Sequence, residues 1–300
     1  MRKVSILIPS YNAARYLSQA VDSALNQTFQ DFEIIIIDDG STDNTREIVE
    51  RYLKQEPDKI RYIYQDNQGL ACARNTGIKA AKGDYLALLD ADDIWCPDRL
   101  EKGIEAIESD PGIGLVHANS TRVDENGRTL FTPVRDLRYL AGPMFENIFL
   151  RKADIACPTV LFRKACCDEV GLFDPHLTRL GCEDRELWLR IVRKFKIVHI
   201  DQALALYRVR LNSMSKNQQK MLQARLYVVD KFFPAEKNDR LRYLALAKIY
   251  RDSGDEHLFR QQFEHAKEQY WKSISFNPFS FWTWINLGKS FIKLKVRHVS

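Results

Sequence analysis

The chain has 300 residues, of which 45% are hydrophobic and 28% charged, and this composition excludes a largely disordered protein. The net charge of +5 is small, and the lysines and arginines are spread along the sequence, so no nucleic-acid partner is expected. The six cysteines lack paired metal-ligand spacing, and Met1-Arg2-Lys3 precedes a strand rather than beginning a signal peptide, which predicts reduced thiols and a cytoplasmic location. No apolar run approaches the ~20 residues that span a bilayer, which predicts a soluble protein or one peripheral at the inner face of the membrane.

Strand and helix patterns alternate from the start of the chain, which is typical of a mostly parallel sheet covered by helices. Apolar runs predict strands at residues 4–8, 32–37, 60–64 and 85–89. Helical spacing predicts helices at residues 17–25, after Ser41-Thr42-Asp43, and at residues 69–81. Gly83 is predicted to cap the last of these, and Pro97 to lie in the first turn of the next helix.

The following segment is less regular. Strands are predicted at residues 114–118 and 158–163, with a turn at Asn126-Gly127. Glu183 and Asp184 precede a helix with Leu187 and Trp188 on its apolar face, so both acids are expected near the positive end of its dipole. On position alone they could be ordinary helix caps.

Two acidic turns follow predicted buried strands: Asp38-Asp39-Gly40-Ser41 and Asp90-Ala91-Asp92-Asp93. Carboxylates crowded at the edge of a core repel one another and lose hydration, unless a cation or hydrogen-bond donors compensate. Mg²⁺ and Mn²⁺ prefer oxygen ligands and are usually held by one or two carboxylates together with substrate phosphates. The turns therefore indicate a divalent metal and a nucleoside diphosphate, although Asp, Gly and Ser also form ordinary turns.

Taken together, residues 4–215 resemble the family 2 glycosyltransferases, which are inverting, nucleotide-sugar-dependent enzymes of the GT-A fold. The resemblance rests on seven motifs in order: VSILIPSYN (4–12), QTF (27–29), DDGSTD (38–43), NQG (67–69), ARNTG (73–77), DADD (90–93) and GCED (181–184). The implied fold class is α/β, with a Rossmann-like, mostly parallel mixed sheet flanked by helices. Because each motif predicts the context of the others, the ordinary-turn interpretation becomes weak.

The resemblance implies a role for each donor-side residue. Asp39 would read the base of a uridine or another nucleoside diphosphate, and Arg74 would contact the nucleotide. The pocket around the base would be lined by Pro9, Tyr11 and Asn12. Asp90 and Asp92 match the acids that hold ribose, metal and diphosphate, with Asp92 the first choice as direct ligand of Mn²⁺ or Mg²⁺.

On the acceptor side, Asp184 matches the catalytic base of the family, and Glu183 would orient the acceptor or support the loop. The segment Tyr207–Ser215 resembles the late Tyr-Arg-x-His loop, but Arg210 stands where His is usual. A guanidinium cannot bind a cation but can pair with phosphate oxygens. Arg208 and Arg210 are therefore predicted phosphate contacts, with solvated surface charges as the alternative, and the metal is expected to have fewer protein ligands.

Composition shifts after residue 215, which predicts two domains: a catalytic domain at 1–215, divided into a nucleotide-sugar half (1–110) and an acceptor half (111–215), and a helical extension at 216–300. The extension loosely resembles tetratricopeptide-type helix hairpins, with an interhelix turn at Gly254-Asp255. Its aromatic stripe at residues 276–295 is expected to pack in a core, with peripheral contact to an anionic membrane as the alternative.

The resemblance implies an enzyme that moves a sugar from a nucleotide donor to a hydroxyl of a glycan or a lipid-linked acceptor, in the assembly of a surface polysaccharide. Two alternatives remain at this stage. A nucleotidyltransferase of similar build would need the metal-binding acids but not Asp184. A non-catalytic recruitment protein would bind nucleotide sugar without turnover. The sequence leaves the sugar, the acceptor and the oligomeric state open.

Overall fold

A computed structural model of the chain describes residues 3–133, 143–210, 213–235 and 239–297, with side chains for all of these except 215 and 292–297. Leu211 and Asn212 of the late loop lie outside the described residues. The chain forms two compact units. One comprises Met1–Arg179 and Glu183–Ser213, and the other comprises Leu180–Cys182 and Met214–Ser300.

The first unit is built on one mixed sheet. Its strands are β1 Val4–Ser10, β2 Phe32–Asp39, β3 Ile60–Gln65, β4 Tyr85–Leu88, β5 Ile94–Trp95, β6 Ile113–Val123, β7 Thr129–Phe131, β8 Leu161–Arg163 and β9 Lys196–Arg208. Their order is β3-β2-β1-β4-β8-β6-β9-β5, with β7 paired to β6. Strands β1 to β4 are parallel, and β8 runs antiparallel to both β4 and β6. The mostly parallel mixed sheet predicted from the sequence is confirmed.

Helices cover the sheet and form the second unit. Those of the first unit are α1 Leu17–Leu25, α2 Thr45–Gln55, α3 Leu70–Ala80, α4 Arg99–Glu108, α5 Met144–Phe149, α6 Ala165–Val170 and α7 Glu183–Val192. Those of the second are α8 Gln218–Phe232, α9 Arg240–Phe259, α10 Phe263–Phe276 and α11 Phe281–Arg297. Every residue of β1 and β2 is buried, as expected for central strands with helices on both faces. No described helix has the length and apolar character needed to cross a bilayer.

The direction of the strands determines where the polar loops meet. Strands β1 to β4 end at the same edge of the sheet, and β6 and β9 run in that direction too. Because parallel strands bring their carboxyl ends together, the loops after β1, β2, β3, β4 and β9 lie side by side. This edge therefore carries both acidic turns and the late arginine loop.

Several local predictions need correction. Strand β9 was not predicted, although it pairs along β6 and carries Arg208. The predicted strand at 158–163 is reduced to Leu161–Arg163, preceded by a short 3₁₀ turn at Cys157–Thr159. The turn at Asn126-Gly127 is confirmed, with Gly127 at φ 82° between β6 and β7.

Gly83 does not cap helix α3. The helix ends at Ala80, and the backbone of Gly83 is not left-handed. The glycine is instead required by a close approach to β1, where its N–H donates a hydrogen bond to Ser5 Oγ (2.9 Å). An added Cβ would lie 2.7 Å from Ser5 N and 2.8 Å from Val4 C.

Gly83→Ala is therefore expected to destabilise the first unit by about 1–3 kcal/mol, since the Cβ would meet backbone that cannot rotate away. The measurement is the urea concentration at the midpoint of unfolding, with the near-ultraviolet circular dichroism of the buried Trp95 and Trp188 as the signal. Gly288→Ala is the control, because the Cβ that it adds meets nothing within 4 Å apart from its chain neighbours and the backbone of its own helix. Equal midpoints for Gly83→Ala and the parent protein would contradict this account.

The second unit packs around Tyr270, with Ala266, Ile274 and Leu287 in the same buried cluster. The predicted interhelix turn at Gly254-Asp255 is wrong, because α9 continues to Phe259. Gly254 is needed for packing: a Cβ there would lie 2.6 Å from the Tyr270 ring. The Tyr270 hydroxyl donates a hydrogen bond to Asp255 Oδ1 at 2.8 Å.

The expectation that the C-terminal aromatic stripe packs in a core is also wrong. Its large aromatic side chains are exposed: Phe279, Phe281, Trp282, Trp284 and Phe291. Leu287, on the same helix, is buried instead. The apolar periodicity was real, but the sequence could not show that a smaller and more polar stripe would face the neighbouring helices.

Candidate active site

The first acidic turn is fixed by hydrogen bonds before any ligand binds. Asp39 Oδ1 accepts from the N–H of Gln68 (2.9 Å) and from Gln65 Nε2 (2.6 Å), and Asp39 Oδ2 accepts from the N–H of Gly69 (2.7 Å). Asp38 accepts from the Tyr62 hydroxyl at 2.7 Å. The Asp39 carboxylate therefore fastens the NQG loop, which follows β3, to the end of β2.

The loop after β1 is joined to the same turn. Asn12 has a left-handed backbone (φ 49°). Its N–H donates to Ser41 Oγ (2.9 Å), and its side-chain oxygen accepts from the N–H of Thr42 (2.8 Å). Pro9 is buried at the end of β1, whereas Tyr11 is exposed next to it. Asn12 thus braces two loops, and Tyr11 is left available for a ligand. The donor-binding roles of these residues stay predictions.

The second acidic turn brings three carboxylates together. Burial raises the pKa of Asp92, with Asp90 adding to the effect and the Arg210 guanidinium opposing it. The Nε of Arg210 lies 2.6 Å from Asp92 Oδ2. Asp93 is buried, and its pKa is raised well above the usual range by burial, then by Asp92 and Asp90. Its Oδ1 accepts the backbone N–H of Arg208 at 2.8 Å, which joins this turn to the end of β9.

Arg208 and Arg210 differ in their surroundings. Arg208 is buried, and its guanidinium donates to the Asp92 carbonyl (2.8 Å), the Glu125 carbonyl (2.9 Å) and Gln19 Oε1 (2.7 Å). Its contacts thus join the end of β9 to the second acidic turn, to the turn between β6 and β7, and to helix α1. Arg210 keeps 40% of its side chain exposed. Of the two predicted phosphate contacts, Arg210 is therefore the one that a diphosphate can reach without rearrangement.

Arg74 joins Asp90 of the second acidic turn to Glu183, the neighbour of the predicted base. It lies one turn into α3, is 1% exposed, and stacks over Phe173 at 5.4 Å. Its Nη2 donates to Asp90 Oδ1 at 2.7 Å, and its Nη1 donates to Glu183 Oε1 at 2.7 Å. Burial disfavours the charged guanidinium, but Cys157 and the nearby carboxylates reverse this and raise its pKa. One buried cation therefore connects motifs 109 residues apart in sequence.

Glu183 and Asp184 begin helix α7, as predicted, and Glu183 also pairs with Arg74. Burial raises the pKa of Glu183 to about 7, with Arg74 opposing and Asp184 adding to the rise. Burial also raises the pKa of Asp184, again opposed by Arg74. A carboxylate with a raised pKa is a stronger base than one in water. The structure thus supplies two basic carboxylates next to a buried guanidinium.

Two contributors to this site were not predicted. Asn75, also in the ARNTG motif, exchanges two hydrogen bonds with the backbone of Phe173, at 2.8 and 2.9 Å, and so holds the loop before α7 against α3. Cys157 is buried near Arg74, and burial raises the pKa of its thiol well above the usual value. Neither residue has a sequence signal by itself, because both roles depend on contacts between distant segments.

The carboxylates of Asp90 and Asp92 fit Mn²⁺ or Mg²⁺. A cation would relieve the crowding that raises the pKa values of Asp92 and Asp93. Among the described residues, no group of three or more His, Cys, Asp or Glu side chains is arranged to hold a metal alone. Two carboxylates completed by substrate phosphates are the usual arrangement for Mg²⁺, so the residues fit a site shared with the donor.

Comparison with known proteins identifies the family. The model described as glycosyl transferase family 2 matches residues 5–171. The chain belongs to glycosyltransferase family 2. This family assignment confirms the resemblance found in the seven motifs, six of which precede residue 172.

Curated relatives of this family 2 glycosyltransferase differ in length from it. An uncharacterized glycosyltransferase of Nostoc is 35% identical over 215 residues, which cover 69% of this chain and 65% of the relative. The putative teichuronic acid biosynthesis glycosyltransferase TuaG of Bacillus subtilis is 32% identical over 228 residues, covering 75% of this chain and 86% of TuaG. The chain spans only 33% of an uncharacterized glycosyltransferase of Rickettsia felis.

Solved structures confirm the GT-A fold. S. aureus TarS 1-349 in complex with UDP-GlcNAc has a TM-score of 0.67 at 19% identity, covering 91% of this chain and 81% of TarS. The mannosyltransferase PcManGT from Pyrobaculum calidifontis, in complex with GDP-Man and Mn²⁺, has a TM-score of 0.61 at 18% identity, covering 98% of this chain and 87% of that protein. At these identities the likeness establishes the fold alone.

The exposed position of Arg210 leads to a prediction. Arg210→Ala is expected to raise the dissociation constant for a nucleoside diphosphate about tenfold or more, because a hydrogen bond from a charged donor contributes about 1.5–3 kcal/mol. Isothermal titration with the diphosphate alone measures this directly. Arg46→Ala, which removes an exposed arginine paired with Glu50 on α2, is the charge-matched control. An unchanged dissociation constant for Arg210→Ala would mean that Arg210 does not contact the diphosphate and only pairs with Asp92.

Proposed function

We propose that this protein transfers a sugar from a nucleoside diphosphate sugar, a UDP-sugar in the first instance, to a hydroxyl of a glycan or a lipid-linked acceptor, with inversion at the anomeric carbon. The reaction needs a stabilised leaving group on one side of the sugar and an activated hydroxyl on the other. The TarS complex with UDP-GlcNAc supports the choice of uridine, and the name of TuaG supports a polysaccharide acceptor.

The observation that carries the proposal is the Arg74 bridge. One guanidinium donates one hydrogen bond to Asp90 and another to Glu183. Asp90 lies beside the predicted diphosphate site, and Glu183 is next to the predicted base. A carboxylate pair that served only as a helix cap would not need a buried cation joined to the donor-side acids. The bridge fixes Glu183 and so positions the first turn of α7, in which Asp184 lies.

Asp184 would act as the general base. An acceptor hydroxyl loses its proton as the new bond forms, and a carboxylate within hydrogen-bond reach can take that proton. The raised pKa of Asp184 increases its basicity. Attack from the face opposite to the leaving group inverts the anomeric centre in a single displacement, by the geometric logic of inverting glycosidases.

Donor-side residues would bind and orient the leaving group. Asp90 and Asp92 would hold Mn²⁺ or Mg²⁺, which when bound neutralises charge on the departing diphosphate. Arg210 would pair with phosphate oxygens from the exposed side of Asp92. Tyr11, which is exposed next to Asn12, would cover the base. Arg208 would keep the Asp92 turn in place through its bond to the Asp92 carbonyl.

The test is release of nucleoside diphosphate from a panel of nucleotide sugars in the presence of polysaccharide and lipid-linked acceptors, with Mn²⁺ or with chelator. Release from one donor, stimulated by an acceptor, is the expected result. The anomeric configuration of the product, read by NMR, tests inversion. Asp92→Ala should reduce both donor binding and release, because it removes a metal ligand and the partner of Arg210.

Two other outcomes would overturn the proposed transfer, and a third would overturn the proposed inversion. Donor binding without turnover on any acceptor would favour a recruitment protein. Formation of a nucleotide sugar from a nucleoside triphosphate and a sugar phosphate would favour a nucleotidyltransferase. Retention of configuration would leave the transfer intact and reject Asp184 as the base of a single displacement.

A further inference from the structure

Helix α11 is apolar on its exposed side and more polar on its buried side. Its exposed stripe runs through Phe281, Trp284, Gly288 and Phe291, at steps of three and four residues. Its buried stripe consists of Thr283, Leu287 and Ser290, which are 0%, 3% and 0% exposed. A helix that serves only a protein core has the opposite arrangement. The helix therefore directs its largest apolar side chains away from its own unit.

Neighbouring residues enlarge this surface. Phe279, directly before α11, is 93% exposed, and Trp282 is 64% exposed. Trp271 of α10 is half exposed and makes an edge contact with Trp284, with ring centroids 5.8 Å apart. We call the six aromatic residues that form this surface the aromatic face: Trp271, Phe279, Phe281, Trp282, Trp284 and Phe291. Isolated exposed aromatics are ordinary, but a contiguous group of this size marks an interaction surface.

The distribution of charge identifies the partner. Residues 269–300 contain five lysines and arginines and no aspartate or glutamate, so they carry the whole net charge of +5. The first 268 residues have 40 basic and 40 acidic residues, and are therefore neutral overall. Lys289 is exposed on α11. Lys267 Nζ lies 4.7 Å from the centroid of the Phe291 ring, but it and Lys272 are paired with Glu264 and Glu268 of α10. The acid-free part of the surface is therefore α11 itself, whose sequence has four cations and no acid.

From the exposed aromatics and from the cations of α11, a helix without acids, we propose that the aromatic face docks the protein on an anionic lipid bilayer. Trp and Phe would enter the headgroup boundary while lysines contact lipid phosphates, as in helices that lie in the plane of a membrane. A core-packing helix explains neither the exposed tryptophans nor the charge imbalance. The proposal does not depend on which sugar is transferred, or on transfer itself.

Vesicle binding tests this directly with the full chain. The protein should co-sediment with vesicles of phosphatidylcholine mixed with phosphatidylglycerol, and not with phosphatidylcholine alone, and added salt should weaken the binding. Tryptophan emission should shift to shorter wavelength on binding, because Trp271, Trp282 and Trp284 are exposed whereas Trp95 and Trp188 are already buried.

Variants locate the contact. The triple variant Phe279→Ser, Phe281→Ser, Trp282→Ser and the single variant Lys289→Glu should each lower binding at least tenfold, and exposure of all four side chains allows each variant to fold. Phe259→Ser is the matched control. Phe259 is 86% exposed in the same unit, beside the Glu256–Arg260 ion pair, and its replacement should not change vesicle binding. Circular dichroism verifies folding.

Three results would overturn the proposal. The first is no binding to anionic vesicles. The second is equal loss of binding in Phe259→Ser and the triple variant. The third is a dimer of the parent protein, seen by light scattering, that the triple variant converts to monomer, since a second copy would then cover the aromatic face.

Discussion

Replacing Asp184 by Asn will lower kcat by about 10²- to 10⁴-fold, the usual contribution of a general base, while donor affinity stays near that of the parent. Asn has the shape of Asp but cannot accept the hydroxyl proton. Arg74 does not lose a hydrogen-bond partner, because its two bonds go to Asp90 and Glu183. The measurement is kcat from diphosphate release, alongside calorimetric titration of the donor.

The control for this prediction is Glu169→Gln, which removes an exposed acid paired with Lys194 on the surface of the same unit. It should not change kcat. If Asp184→Asn keeps more than about a tenth of the parent kcat, Asp184 is not the base, since general base catalysis contributes at least about 10²-fold. Glu183 would then be the next candidate.

The same chemistry gives a pH dependence. A base works only when deprotonated, and burial raises the pKa of Asp184 above its ordinary value and that of Glu183 to about 7. Because the two carboxylates interact, they are expected to titrate as a pair. The parent kcat/KM should therefore fall with decreasing pH, at a higher pH than an ordinary aspartate would give, and this acidic limb should shift in Glu183→Gln.

Local sequence patterns predicted the first half of the fold because they depend on neighbouring residues. Each of the first four strands is an apolar run that ends at a polar turn, so β1 to β4 and the helices between them were found. Strand β9 was missed because its exposed and half-buried positions give no continuous apolar run. Gly254 was wrongly predicted to mark a turn, because the glycine is required by the Tyr270 ring, which approaches from the next helix.

The motifs also identified which residues meet at the site, but not what each one contacts. The expectation for Arg74 was a contact to the nucleotide, whereas the structure has it bonded to two carboxylates. Those contacts join residues 16 and 109 positions away, which no local pattern encodes. Arg208 and Arg210 look equivalent in sequence, yet one is buried among carbonyls and the other is only partly buried beside Asp92.

Arg74→Met is expected to have the largest effect on stability, about 3–5 kcal/mol, because removing one partner of a buried ion pair leaves uncompensated charge. Glu183 would remain buried without its cation, and its pKa would rise further. Activity should fall with it, since the first turn of α7 loses its fixed position. Urea unfolding gives the stability, and diphosphate release by the folded fraction gives the activity.

Arg74→Lys and a double variant decide whether the bridge itself is responsible. A single ammonium cannot reproduce the planar fork that reaches two carboxylates, so Arg74→Lys should recover little activity. In Arg74→Met, adding Glu183→Gln removes the stranded charge and should restore part of the lost stability, a coupling that a double-mutant cycle measures. Strictly additive effects would mean that Arg74 and Glu183 act independently. The bridge has two roles, stabilising the fold and positioning Asp184. If the double variant regains stability but keeps a low kcat, the two roles are separate. The fold would then tolerate a neutral Glu183, whereas Asp184 would still need the guanidinium to hold it in place.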